Sequence, residues 1–174
     1  MVIQGYGLTE TAPIVSLNHP FSTSRGSVGK AIAGVEVRIA PDGEILVRGD
    51  NVTKGYYGAD EATSEAFEGG WFHTGDVGEV DAQGRLFIRG RKKEMIVTPE
   101  GLNVFPEDVE RALNEQPGVR ESAVVGAPAG GGSAERVQAI VAIAPGANLD
   151  EIVRGANARL QDHQKIRLAT VWPG

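Results

Sequence analysis

Apolar and polar positions alternate in two stretches of the first half of the chain. Residues 35–39 place apolar side chains at every second position, and Ile45 and Val47 resume this spacing after an Asp42-Gly43 pair. A period of two is typical of a strand with one buried face, and a glycine between two such runs favours a hairpin. Residues 78–90 repeat this arrangement around the sequence DAQG. We therefore predict two hairpins, and mostly antiparallel β-structure up to about Gly90.

A short helical pattern lies between these two hairpins, in the sequence GADEATSEAFEGG. Asp60 stands where the helix would begin and Gly69-Gly70 where it would end. Aspartate is a favoured N-cap residue, and glycine is common just after a helix. We predict a short helix with Asp60 as its N-cap and the glycine pair as its stop.

From Pro106 onwards, helical and strand patterns follow one another. Pro106 with the acidic residues after it, and a Pro117-Gly118 stop, predict one helix, while Asn148 with Glu151 three residues later predicts the capped start of another. The apolar stretches ESAVVGA, RVQAIVAIA and KIRLATVW predict strands, and PAGGGSAE predicts a loop between the first two. The order β, α, β, β, α, β describes an α+β domain of roughly 80 residues.

Composition narrows the classes of function. The 174 residues carry a net charge of −6, and lysine and arginine are dispersed among acidic residues, so we expect no nucleic-acid partner. The absence of cysteine excludes thiol catalysis, disulfides and cysteine-ligated metals. No apolar run approaches the roughly 18 to 20 residues of a membrane span. We expect a soluble, cytoplasmic protein with no integral membrane segment.

Two short segments hold oxygen ligands that suit a nucleotide. Thr9 and Glu10 lie in a glycine-containing loop, where a hydroxyl beside a carboxylate can contact a phosphate oxygen and Mg²⁺. Asp76 follows Gly75 and could accept hydrogen bonds from a ribose diol, although an aspartate that opens a turn is the alternative. We interpret His73 as structural, because no partner at catalytic spacing is visible in the sequence.

The sequence RGRKKE contains the one cluster of basic residues in this acidic chain. Its members are Arg89, Arg91, Lys92 and Lys93. Guanidinium and ammonium groups could steady a polyphosphate, and a solvated linker is the alternative. The stretch 90–94 is also the boundary that we predict between two domains.

Four motifs, taken in order, resemble the C-terminal part of the acyl-adenylate-forming enzymes, which include acyl-CoA synthetases, luciferases and the adenylation domains of peptide synthetases. They are YGLTE at 6–10, GEILVRGDNVTKGYY at 43–57, WFHTGD at 71–76 and GRKKEMIVTPEGLNVFPEDVE at 90–110. Four motifs in the family's order, covering most of the chain, are a specific match. Within this superfamily, the sequence most resembles the fatty acyl-CoA synthetases.

The resemblance implies a role for each matching residue of the first three motifs. Thr9 would contact the ATP phosphates and Glu10 would hold Mg²⁺ in the adenylation step. Tyr6 and Gly7 would flank the adenine and the acyl carboxylate. Asp76 would bind the ribose hydroxyls.

Three further roles are implied by the last motif. Arg91 would contact the nucleotide from the domain boundary, and Lys93 would be the hinge on which the smaller domain moves. Gly101 would let the backbone pass close to the pantetheine arm of coenzyme A, a use that suits glycine.

The resemblance also implies the fold and the reaction. Residues 1–91 would be the antiparallel, β-barrel-like end of a large AMP-binding domain, and residues 92–174 a small mobile α+β domain. A small carboxylic acid, with a fatty acid as the expected substrate, would react with ATP to give acyl-AMP and pyrophosphate, and the acyl group would then pass to coenzyme A. The cofactors and co-substrates implied are ATP/AMP, Mg²⁺ and coenzyme A.

Two parts of the family pattern are not found in this sequence. The family's phosphate loop precedes YGLTE, and its Gly-Lys motif follows the sequence VWPG. We therefore expect a fragment that needs the N-terminal part of the same enzyme and is inactive alone. The alternatives are an acyl-AMP ligase that loads a carrier protein, and a non-catalytic remnant that binds a nucleotide or a partner.

Overall fold

The computed structural model describes residues 3–129 and 134–173, and divides the chain into two compact units, Met1–Lys92 and Lys93–Gly174. Both units combine mainly antiparallel strands with short helices, which confirms the α+β class. Whether the units correspond to the two enzyme domains named above stays a prediction. Within the described residues, no helix is long and apolar enough to cross a membrane.

The first unit contains two antiparallel sheets in its described part. The smaller sheet has the order β1-β2-β3, and the larger has the order β4-β5-β7-β6 with β8 paired to β7. The bounds are β1 Gly5–Tyr6, β2 Ser16–Leu17, β3 Lys30–Ala31, β4 Val35–Ile39, β5 Glu44–Gly49, α1 Asp60–Ala66, β6 Phe67–Glu68, β7 Trp71–Val80 and β8 Leu86–Arg91.

Both predicted hairpins are present in the larger sheet. Val37 pairs with Val47 across β4 and β5, and Val80 pairs with Leu86 across β7 and β8. The strand period of two turns Ile45, Val47 and Leu86 inward, where they form a core with Val15. These pairings place the start of β5 and the end of β8 on either side of the middle of β7, where Glu44 pairs with Val77 and Arg91 with Asp76.

The prediction for the helix at 58–70 is wrong in two details. Ala59 is the N-cap residue of α1, without a side-chain hydrogen bond, and Asp60 is the first helical residue. Asp60 instead places its charge in the first turn, where the helix dipole favours an acid. The helix already ends at Ala66, and Gly69 and Gly70, both with positive φ, form the turn between β6 and β7.

The second unit begins with a hairpin and continues as two helices on a mixed sheet. Its sheet has the order β11-β12-β13, antiparallel between β11 and β12 and parallel between β12 and β13. The bounds are β9 Ile96–Val97, β10 Asn103–Val104, α2 Pro106–Asn114, β11 Val119–Pro128, β12 Glu135–Ile143, α3 Leu149–Asn157 and β13 Leu168–Val171. The predicted single strand before α2 is thus two short strands.

The two predicted helices of this unit are confirmed, and each buries one face. Pro106 opens α2, and Asn148 caps α3 by accepting hydrogen bonds from the backbone N–H groups of residues 150 and 151. Val109 and Leu113 of α2 pack with Ile152 of α3 over the sheet. The predicted loop PAGGGSAE lies partly outside the described residues, and the last strand is shorter than the predicted KIRLATVW.

Candidate active site

Three of the predicted site residues meet in the first unit, around Asp76. This aspartate lies on β7, directly opposite Arg91 of β8, and is 5% exposed. Arg91 Nε lies 3.0 Å from Asp76 Oδ1, and the Tyr6 hydroxyl on β1 donates a 2.5 Å hydrogen bond to Asp76 Oδ2. Arg91 Nη1 also donates to the carbonyl oxygen of Thr74 at 3.2 Å. The motifs YGLTE, WFHTGD and GRKKE are therefore joined at one carboxylate.

The environment of Tyr6 keeps its hydroxyl protonated. Burial, and after it the hydrogen bond to Asp76, raises the pKa of Tyr6 well above its usual range. A protonated phenol donates to the carboxylate, so Tyr6 and Arg91 together balance the charge of a nearly buried Asp76. A buried charge is stable only with such partners.

Gly7 lies where the backbone of the YGLTE loop approaches the segment that follows it. A Cβ atom on Gly7 would lie 1.7 Å from the carbonyl oxygen of Pro13. Any other residue would force the two backbones apart, so glycine is required here by packing. The Thr9–Thr11 turn that follows is a short 3₁₀ helix, in which Thr9 is exposed and Thr11 is buried.

Glu10 has a defined partner, which the sequence analysis missed. The hydroxyl of Tyr56 donates a 2.9 Å hydrogen bond to Glu10 Oε1. Within residues 3–129 and 134–173, no three or more histidine, aspartate and glutamate side chains group together as a metal site. Mg²⁺ in proteins usually takes one or two carboxylate ligands and completes its coordination with phosphate or water.

A second buried acid, Glu44, also escaped the sequence analysis. It is 5% exposed at the start of β5, accepts a 2.9 Å hydrogen bond from the N–H of Gly75, and lies 3.0 Å from Lys92 Nζ and 3.2 Å from His73 Nδ1. Burial alone would raise the pKa of Glu44, but Lys92, His73 and Gly75 outweigh burial and lower the pKa overall. His73 therefore has a partner that fits a structural role, although this partner lies 29 residues away in the chain.

The basic cluster is largely paired with carboxylates of the same unit. Besides the Arg91–Asp76 pair, Arg89 lies 2.6 Å from Glu79, and Lys92 lies 2.7 Å from Asp42 as well as close to Glu44. The hydrogen bonds to Asp42 and then Glu44 raise the pKa of Lys92. These contacts connect the basic cluster to β7 and to the start of β5, in addition to any role toward a phosphate.

Lys93, the last member of the basic cluster, and Gly101 lie in the second unit. Lys93 is exposed and is the first residue of that unit. Gly101 has a φ of +75° at the tip of the β9–β10 hairpin, where its N–H donates to the carbonyl oxygen of Thr98. This backbone conformation alone accounts for glycine, so its role toward coenzyme A stays a prediction.

The hairpin that carries Gly101 borders a cavity of about 570 Å³ within the second unit. Residues on both sides of Gly101, including Glu100 and Leu102, line the cavity together with Arg136 and Arg167. The cavity is thus large enough for part of a small molecule and carries charge of both signs.

Comparison with known proteins gives a consistent picture. A family model described as "AMP-binding enzyme" matches residues 1–57. The long-chain-fatty-acid–CoA ligase FadD15 of Mycobacterium bovis is 48% identical over 125 residues, which are 72% of this chain and 21% of that protein. The 2-succinylbenzoate–CoA ligase of Listeria monocytogenes is 43% identical over 129 residues, which are 73% of this chain and 27% of that protein. The chain therefore spans about a fifth to a quarter of the length of these relatives.

The same similarity holds in three dimensions. The O-succinylbenzoate coenzyme A synthetase MenE of Bacillus subtilis, solved in complex with ATP and magnesium ion, superposes with a TM-score of 0.89 and is 30% identical. The match covers 98% of this chain and 38% of that one.

Proposed function

Because this chain belongs to the AMP-binding family of acyl-adenylate-forming enzymes, we propose that it is part of an ATP-dependent acyl-CoA ligase. The ligase converts a carboxylic acid and ATP into acyl-AMP and pyrophosphate, and then transfers the acyl group to coenzyme A with release of AMP. The observation that carries the proposal is the contact of Tyr6 and Arg91 with Asp76, which joins three family motifs at one buried carboxylate.

Asp76 is the group that we assign to the ribose hydroxyls. A carboxylate offers about four acceptor sites, of which the Tyr6 hydroxyl and the Arg91 guanidinium use two. The remaining sites can accept hydrogen bonds from a diol. Holding Asp76 from both sides fixes its orientation before the nucleotide binds, which lowers the entropy cost of binding.

Thr9 and Glu10 are the residues that we assign to the triphosphate end. Thr9 is exposed in its short helical turn, and its hydroxyl suits a phosphate oxygen. Glu10 is a hard oxygen ligand of the kind that Mg²⁺ prefers, and one carboxylate with phosphate oxygens is a usual set for this ion. When bound, Mg²⁺ would supply neutralisation of the charge on the phosphates.

For the second unit we propose the roles implied by the family motif. Lys93, the first residue of that unit, would be the hinge between the two steps of the reaction. The β9–β10 hairpin with Gly101 at its tip would lie along the arm of coenzyme A, and the cavity of about 570 Å³ beside that hairpin supports a ligand there.

A fatty acid is the substrate that we propose. The identity of 48% to a long-chain-fatty-acid ligase supports this choice. The identity of 43% to a 2-succinylbenzoate ligase makes an aromatic acid the alternative, and a carrier protein could replace coenzyme A as the acceptor.

Exchange of pyrophosphate into ATP tests this proposal. The longer protein that contains this chain is assayed with palmitate, acetate and 2-succinylbenzoate, with its Glu10→Ala variant as the control. We expect palmitate-dependent exchange that is lost in the variant, and consumption of acyl-AMP on adding coenzyme A. The same assay on the 174-residue chain alone should give no exchange.

Other results would contradict parts of the proposal. Exchange only with 2-succinylbenzoate would overturn the choice of a fatty acid, and transfer only to a carrier protein would overturn coenzyme A as the acceptor. Exchange with none of the acids would contradict the assignment as a whole. Exchange by the isolated chain above the Glu10→Ala background would contradict the expectation that this chain is a fragment that is inactive alone.

A further inference from the structure

The segment that follows β5 holds the Thr9–Thr11 turn at several points. Asn51 Nδ2 donates hydrogen bonds to the carbonyl oxygens of Thr11 and Ile14, at 2.7 and 2.9 Å. The backbone N–H of Thr53 donates to the carbonyl oxygen of Glu10 at 2.8 Å. The backbone of the turn is thus fixed by a segment about 40 residues further along the chain.

The same segment also contacts the carboxylate of Glu10, through Tyr56. Its hydroxyl donates to Glu10 Oε1 at 2.9 Å. A tyrosine hydroxyl is protonated at neutral pH, because the ordinary pKa of a phenol is about 10, so Tyr56 is the donor in this hydrogen bond. One carboxylate oxygen is therefore fixed by a donor within the protein, and Oε2 is the second oxygen of the same rigid group.

Tyr56 is itself held in place. Its backbone N–H donates to Thr63 Oγ1 at 2.9 Å, and that hydroxyl donates to the carbonyl oxygen of Ala59 at 2.8 Å. The Tyr56 ring meets the Phe67 ring edge-on at 6.2 Å between centroids, and Phe67 packs at 5.0 Å on Phe72, which is buried. A tyrosine fixed at both its backbone and its ring can orient the group that it contacts.

We propose that Tyr56 is a positioning residue for Glu10. Its hydroxyl fixes the carboxylate through Oε1 and so directs Oε2 toward the divalent cation that accompanies ATP. This inference rests on the proposed function, in which Glu10 holds Mg²⁺, and adds a residue to which that function assigns no role. Tyr56 acts through Glu10 and has no direct contact with the substrate.

The neighbouring residue supplies a matched control. Tyr57 has the same side chain one position later and is fully exposed. Tyr56→Phe removes one hydroxyl and keeps the ring that packs on Phe67. Tyr57→Phe removes the same hydroxyl from a side chain in solvent.

The first readout is the Mg²⁺ concentration at half-maximal pyrophosphate exchange in the longer protein. A hydrogen bond to a charged group at a partly exposed site corresponds to about a 5- to 30-fold effect. We expect Tyr56→Phe to raise the half-maximal Mg²⁺ concentration by that factor and Tyr57→Phe to leave it unchanged. Glu10→Gln should raise it too, and adding Tyr56→Phe to Glu10→Gln should have no further effect.

The second readout does not depend on activity. Binding of Mn²⁺ with ATP, followed by the enhancement of water-proton relaxation, should weaken by a similar factor in Tyr56→Phe and not in Tyr57→Phe. If the wild-type protein gives no exchange with any acid but Mn²⁺ binding still weakens in Tyr56→Phe, the proposed reaction fails while the role of Tyr56 stands.

Three outcomes would overturn the inference. The first is equal metal dependence in Tyr56→Phe and Tyr57→Phe in both readouts. The second is an additional effect of Tyr56→Phe in the Glu10→Gln background as large as in the wild type. The third applies if Tyr56→Phe does not fold. In that case unchanged metal binding in Asn51→Ala would overturn the inference, because loosening the turn at a second point should also weaken the site.

Discussion

At the scale of single residues, the first unit is organised around two buried acids with adjacent cations. Arg91 neutralises Asp76, and Lys92, the next residue, neutralises Glu44. Both acids are 5% exposed, so each would be costly without its partner. The basic cluster thus has a structural role, because it connects the end of β8 to the middle of β7 and to the start of β5.

The lowered pKa of Glu44 predicts how the stability of the first unit depends on pH. Its pKa lies below the usual range, because Lys92, His73 and Gly75 outweigh the opposing effect of burial. A lowered pKa stabilises the folded state above the pKa of the unfolded chain, and this contribution is lost as the pH falls through the folded-state pKa. We expect Glu44→Gln to lower the free energy of unfolding at pH 7 by about 1 to 3 kcal/mol.

Chemical denaturation between pH 3 and pH 8 measures this effect. The difference between wild type and Glu44→Gln should shrink toward the acid end of the range. Glu36→Gln, which breaks an exposed ion pair with Arg48, is the control and should change little. A difference for Glu44→Gln that is constant over this range would mean that its charge does not stabilise the unit.

At the scale of elements, local sequence patterns sufficed where a local interaction decides the structure. The β4–β5 hairpin, the Pro106 start of α2 and the Asn148 cap of α3 are all predicted and present. Asp60 is the exception, because Ala59 occupies the cap position and the aspartate falls one residue inside the helix. The sequence thus predicts the type and location of an element more reliably than its first residue.

The N-cap of α3 leads to a prediction about the stability of the second unit. Asn148 Oδ1 accepts from the N–H groups of Asp150 and Glu151, at 2.9 and 3.3 Å. Asn148→Ala leaves these donors without the side-chain acceptor and should destabilise the second unit by about 1 kcal/mol. Thermal or urea unfolding followed by circular dichroism measures the loss.

Asn148→Ser is the matched variant, since serine also supplies a side-chain oxygen at an N-cap. It should retain most of the stability that alanine loses. Equal loss with serine and alanine would show that the asparagine stabilises the unit in some other way than as a cap.

The candidate site was predictable only in part. Tyr6, Asp76 and Arg91 could be named because family motifs mark them, but their mutual contact joins residues up to 70 positions apart. Glu44 and Tyr56 stand inside a recognised motif, yet nothing local reveals that they contact Lys92 and Glu10, 48 and 46 positions away. Such partners are brought together by the folding of distant segments onto one another, which a local pattern does not specify.

At the scale of the whole molecule, the four motifs are divided between two compact units. The first three and the start of the fourth lie in the unit that ends at Lys92, and the rest of the fourth lies in the unit that begins at Lys93. The resemblance drawn from these motifs is confirmed by the family match and by relatives 43% to 48% identical. The roles of the individual residues are predictions that follow from it.

The central claim is that Asp76, held by Tyr6 and Arg91, binds the ribose of ATP. The most direct test is the KM for ATP in pyrophosphate exchange by the longer protein and its Asp76→Ala variant, with exposed Asp50→Ala as the control. Loss of a charged hydrogen bond to the diol should cost about 1 to 3 kcal/mol, which is about a 5- to 150-fold rise in KM. A KM for ATP equal to that of the wild type in a folded Asp76→Ala protein would remove Asp76 from the nucleotide site and contradict the account.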